Sequence, residues 1–261
     1  MEDGPPNHCG SPKAGGSPPV GKEGRFGDPF FRRLLGLCLL VLASTALSPV
    51  EIRLTWVGFP LFCLELLAGL SQRPPFQAPW GKRTYQLLGF ASIVAQIVWV
   101  LNPGGLLSTG LPLLTLFLLF MGWSLVRLLT RLARESHPAS DMVAGGLAGY
   151  LLLGISGALL LTVIDSLLPG SFRDTATGEL VKLSTGESTG MVSSAWDVNV
   201  QRITYFAFVS LTTVGYGDVA PIRPLAQLAS VSLSVLGPFY IAVVLGVVVS
   251  RLVAESAPPP S

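Results

Sequence analysis

Several kinds of side-chain chemistry can be sought in this chain of 261 residues, and the spacing defeats each one. Gly154-Ile155-Ser156-Gly157 has a spelling in which a serine can serve as nucleophile. Such a serine needs a base, usually a histidine, within hydrogen-bond reach. The only histidines, His8 and His137, lie in polar segments, whereas Ser156 lies in an apolar run. Small residues there suit close helix packing instead. Cys9, Cys38 and Cys63 have no metal-ligand spacing, and an odd number implies no complete disulfide framework. Neither an enzyme nor a bound cofactor is expected. What remains is a glycine-containing run, Thr212-Thr213-Val214-Gly215-Tyr216-Gly217-Asp218. Gly215 and Gly217 tolerate positive φ at little steric cost.

Residues Tyr205 to Pro221 read YFAFVSLTTVGYGDVAP, and this stretch resembles the pore loop and selectivity filter of potassium channels. The resemblance implies that four chains each offer the carbonyls of Thr213, Val214, Gly215 and Tyr216 to a dehydrated potassium ion. The Thr213 hydroxyl would close the inner end, and Gly217 would complete the filter. Potassium is then the permeant ion rather than a cofactor. Val214 and Tyr216 would point their side chains away from the axis, with Tyr216 as a spacer setting the diameter. In similar channels the acid after the filter bonds an aromatic on the pore helix. Asp218 and Tyr205 hold those places, with Tyr where many relatives have Trp, and Thr212 completes the support. A phenol can still donate to a carboxylate. Gly237 stands nineteen residues beyond Asp218, where relatives often carry a hinge glycine. Pro238 follows and removes a helix hydrogen bond. The pair is a candidate gate hinge, with a static kink or close helix packing as the competing reading. Gly246 is a second candidate, and Val243, Val247 and Val249 are candidates for a hydrophobic constriction.

The elements that must position this run are apolar. Half of the residues are hydrophobic and only 12% are charged, against roughly 25% in a soluble domain. Mean hydropathy is +0.60. Apolar runs fall at about 31–48, 53–70, 85–101, 111–130, 142–168 and 226–252. A span needs about 20 apolar residues, with a range of roughly 17–25. The first run is the weakest, with Arg32 and Arg33 placed to snorkel to the interface. Ile203 to Leu211 is too short to cross and suits a re-entrant half-helix buried in protein. The fold class expected is therefore an all-α membrane protein. Six transmembrane helices carry a re-entrant pore helix and filter between the fifth and sixth, and the pore is tetrameric. A disordered cytoplasmic tail covers 1–29 and a four-helix peripheral bundle 30–135. A pore module covers 141–252: outer helix 142–168, extracellular linker 169–202, pore helix and filter 203–218, inner helix 226–252. A short cytoplasmic tail is expected over 253–261, with no ligand-binding domain in it. The first thirty residues hold no apolar run, so no signal peptide is expected there.

Lysine and arginine placement sets the orientation. Basic residues cluster before the first run, at Arg73, Lys82 and Arg83, and at Arg127, Arg131 and Arg134. Alternate connections carry Arg53 or, in 102–110, no charge at all. Both termini are expected in the cytoplasm, in the plasma membrane. Six spans and one pore loop resemble the voltage-gated plan, but Leu111 to Val126 contains no charged residue. The three arginines that follow share a helical face by their spacing and are expected as interfacial anchors. Strong voltage dependence is therefore not expected. Glu65 and Gln96 are polar residues within apolar runs, and Asp165 lies near the outer end of the fifth. No basic stripe suggests nucleic acid. One loop cannot encircle an ion, so the partners expected are three further copies, the lipid bilayer and potassium. The alternatives are a potassium transporter subunit, against which the single intact signature argues, and a non-conducting membrane scaffold.

Overall fold

The computed structural model describes residues 29–46, 52–71, 79–101, 111–134, 139–181 and 192–256. The expected tail up to residue 28, both histidines, Cys9, the stretch 102–110, linker residues 182–191 and the last five residues lie outside them. Among the described residues the order is α1 (Pro29–Ala46), α2 (Ile52–Ser71), α3 (Pro79–Leu101), α4 (Leu111–Arg134), α5 (Ala139–Leu167), β1 (Phe172–Asp174), β2 (Leu180–Val181), α6 (Val192–Leu211), β3 (Val219–Pro221) and α7 (Pro224–Ser256). The six apolar runs become α1 to α5 and α7. Helices α1, α3 and α7 open on proline, whose missing N–H would have had no partner in a first turn. Among the described residues three helices, over Leu111–Arg134, Asp141–Leu167 and Pro224–Val244, are long and apolar enough to cross a membrane.

Helix α5 joins two cores. Its Met142, Ala148 and Leu152 pack with Phe31, Leu34, Phe62, Leu66, Tyr85 and Phe120 from α1 to α4. Its Ala158, Leu161 and Ile164 pack with Phe172, Ile203, Phe206, Leu211 and Leu233 around α6 and α7. Helices in lipid gain little from water exclusion, so close backbone approach and side-chain fit must hold them. The Gly-x-Ser-Gly stretch serves that need. A Cβ on Gly154 would come within 2.4 Å of the Phe208 ring of α6, and one on Gly157 within 2.4 Å of Leu233 of α7. The Ser156 hydroxyl is turned back onto the Leu152 carbonyl at 2.8 Å.

The structure departs from the sequence reading in three places. Helix α6 begins at Val192, not near residue 203, so the expected pore helix is about twice as long. Its first half carries Ser, Asp and Asn, whose side chains compete with the backbone and disguise a helix as a loop. The linker also contains strands: β1 pairs antiparallel with both β2 and β3, in the order β2-β1-β3. Finally, Arg127 and Arg131, expected as interfacial anchors, do not lie on the surface of the chain. They are 2% and 9% exposed and turn inward onto aromatic rings. The Arg127 guanidinium lies 4.3 Å from the Tyr85 ring centre, and Arg131 lies 4.9 Å from that of Phe30. Arg131 Nη1 also donates to the Gly69 carbonyl at 3.1 Å. Arg134 alone stays exposed, as an anchor would.

Candidate functional site: an unpaired row of carbonyls

The site starts where α6 stops. Thr212 N–H donates to the Phe208 carbonyl at 2.9 Å and its hydroxyl to the same carbonyl at 2.7 Å. Thr213 N–H reaches Ser210 at 3.1 Å, and the amides of Val214 and Gly215 both reach the Val209 carbonyl, at 3.1 and 3.4 Å. The amides of the run are thus spent on capping the helix, which would otherwise leave its last carbonyls without partners. The carbonyls of Thr213, Val214, Gly215 and Tyr216 meet no hydrogen-bond donor among the described residues.

Backbone angles alternate along the same run. Thr213, Gly215 and Gly217 have φ of 58°, 59° and 77°, while Val214 and Tyr216 between them do not enter positive φ. The glycines were expected there. Thr213 was not, because the left-handed region costs a side-chain-bearing residue about 1–2 kcal/mol. Side chains of the run face outward from this chain: Val214 is 52% and Tyr216 71% exposed.

Tyr205, Tyr216 and Asp218 lie close together. The Asp218 carboxylate lies beside the Tyr205 phenol. The Tyr205 and Tyr216 rings stack at 6.4 Å with an interplanar angle of 4°. Beyond them lies the sheet, which the sequence reading missed. The Thr175 hydroxyl donates to the Gly217 carbonyl at 2.6 Å, and Thr175 N–H donates to Asp218 O at 2.9 Å. Asp174 secures the turn beneath Thr175. Its Oδ1 accepts from the amides of Ala176 at 2.8 Å and Thr177 at 3.1 Å, and its carboxylate pairs with Arg202 of α6. The Thr177 amide, then the Ala176 amide and the Arg202 guanidinium, hold this carboxyl below the usual carboxylate range.

Gly237 is brought to the inner end of the run. A Cβ there would lie 1.8 Å from the Leu211 carbonyl oxygen and 2.9 Å from its carbon. Tyr150 of α5 donates to the same carbonyl at 3.4 Å. Close approach of backbone to backbone thus accounts for the glycine, and α7 continues as a helix through Pro238. Of the other gate candidates, Val243 is exposed and Gly246 has open space around it. Val247 packs against the first core, and the side chain of Val249 is outside those described. Glu65 and Gln96 are half-buried.

Residues 179–254, from the end of the β1–β2 turn through α6, the carbonyl row and most of α7, match a protein-family model described as an ion channel. No curated protein matches the chain, and no solved structure does. The match supports an ion channel, and the long apolar helices support a chain embedded in a membrane.

Proposed function

We propose that this chain is one of four identical subunits of a potassium-selective channel, with Thr213, Val214, Gly215, Tyr216 and Gly217 as its filter. The observation that carries the reading is the run Thr213–Gly217, where φ alternates in sign and four successive carbonyls meet no donor among the described residues. A row of oxygens of this kind can replace the hydration shell of a cation. The exposed Val214 and Tyr216 side chains call for neighbouring copies to cover them. So do Leu228, Val231, Val235 and Phe239, which share one face of α7 at 61–65% exposure. Potassium is the cargo, and the transport is passive permeation without catalysis.

The proposal includes six crossings, cytoplasmic ends and the plasma membrane, on the strength of the six apolar runs and the placement of basic residues. Weak voltage dependence belongs to it as well. Moving one charge through 100 mV supplies about 2.3 kcal/mol, and several charges per subunit are needed for steep gating. Helix α4 has none from Leu111 to Val126. The test is cation flux into liposomes holding the purified chain, potassium against sodium, with barium as blocker. Potassium-selective, barium-sensitive flux that is lost in Gly215→Ala is expected. Equal passage of both ions would refute the filter reading.

A further inference from the structure

We propose that Thr175 is a positioning residue for the outer end of the filter, holding the Gly217 carbonyl against the β1–β2 turn so that the ion-facing row ends at Tyr216. The inference rests on the reading of residues 213–217 as a potassium filter. A carbonyl that accepts an O–H at 2.6 Å has its oxygen committed to that donor and directed toward the sheet. The carbonyl of the next residue, Asp218, is committed to the Thr175 amide at 2.9 Å. Both donors belong to one residue of a turn that is itself closed: Gly178 N–H reaches Asp174 O, and Asp174 N–H reaches Glu179 O, each at 2.9 Å. The turn is tied to α6 through the Asp174–Arg202 pair, and to the chain leaving the filter through Asp174↔Val219 in the β1–β3 ladder. A closed circuit therefore runs from the pore helix through the sheet to the last filter residue.

The substitutions separate the hydroxyl from the bulk of the side chain. Thr175→Val keeps the shape and removes the donor, whereas Thr175→Ser keeps the donor and loses the methyl. In the full chain reconstituted in planar bilayers, Thr175→Val is expected to lower the potassium-to-sodium permeability ratio by roughly 2-fold or more, since each of the four subunits loses one hydrogen bond. Thr175→Ser is expected to retain the wild-type ratio. A residue that merely fills space would give the opposite order. Asp174→Asn loosens the turn without touching Thr175 and is expected to move the ratio in the same direction. It supplies the test where the valine variant does not assemble. A wild-type ratio in an assembled Thr175→Val, or in Asp174→Asn where the valine variant does not assemble, overturns the assignment. Failure of the wild type itself to prefer potassium refutes the filter reading, and with it this role, and is told apart because no substitution is then needed to see it.

Discussion

Replacing Gly237 by alanine is expected to damage the filter before it alters any gate. The added Cβ would sit 1.8 Å from the Leu211 carbonyl oxygen, where real Cβ atoms keep about 3.0 Å, so the two backbones must part by at least about 1.2 Å. Neither side yields easily, because both contacts are backbone. Leu211 is the residue before Thr212, and its carbonyl is also held by Tyr150. Overpacking of this kind costs roughly 1–3 kcal/mol per subunit. For a chain of this length that corresponds to a fall in melting temperature of about 2–12 °C. The assay is thermal unfolding of the assembled protein in detergent, together with potassium-to-sodium permeability in bilayers. Lower stability and weaker selectivity are expected together. A variant with unchanged melting temperature and selectivity, but altered open probability, would refute the packing argument and restore the hinge.

Further expectations concern the outer end and the peripheral helices. Tyr205→Phe removes the phenol beside Asp218 and is expected to shorten the time over which potassium flux persists; flux as durable as the wild type's would count against the pair. Asp174 has its pKa depressed in the folded chain, so its contribution is present above the unfolded value near 3.9 and is lost as pH falls through the folded value. Protection of the Ala176 and Thr177 amides against hydrogen exchange should hold at neutral pH and fall in acid below about pH 4, and Asp174→Asn should abolish that pH dependence. Among the described residues the buried Nε and Nη1 of Arg127 meet no hydrogen-bond partner, so Arg127→Met is expected to be neutral or stabilising. The same substitution should leave the steepness of the conductance–voltage relation unchanged, and a shallower curve would reveal a gating charge.

The parts of the fold that could be read in the sequence are those where composition alone decides. Continuous apolar runs such as Leu111 to Val126 announce a helix because nothing else satisfies the backbone in lipid. The polar half of α6 has no such signal, since its helical state depends on what surrounds it. Strands β1 to β3 have two or three residues each, too few to display alternation. Their turn was nonetheless spelled out: Asp174-Thr175-Ala176-Thr177-Gly178 puts an Asx residue at its start and a glycine at φ of 73° at its end. At the filter, glycine announces positive φ at residues 215 and 217, but a β-branched residue gives no hint of it at Thr213. Spacing placed Arg127 and Arg131 on one face of α4, yet which neighbour that face meets depends on Phe30, Phe31 and Tyr85 in other helices.

The outward-turned Val214 and Tyr216 have a consequence in genetics. In the proposed tetramer each filter is braced by side chains that one chain cannot cover, so a faulty allele is not simply silent. Its product enters assemblies with sound subunits and spoils them. With equal expression of both alleles and random mixing, about one assembly in sixteen contains four sound chains. A filter mutation should therefore behave as dominant, whereas a mutation that prevents assembly altogether should be recessive.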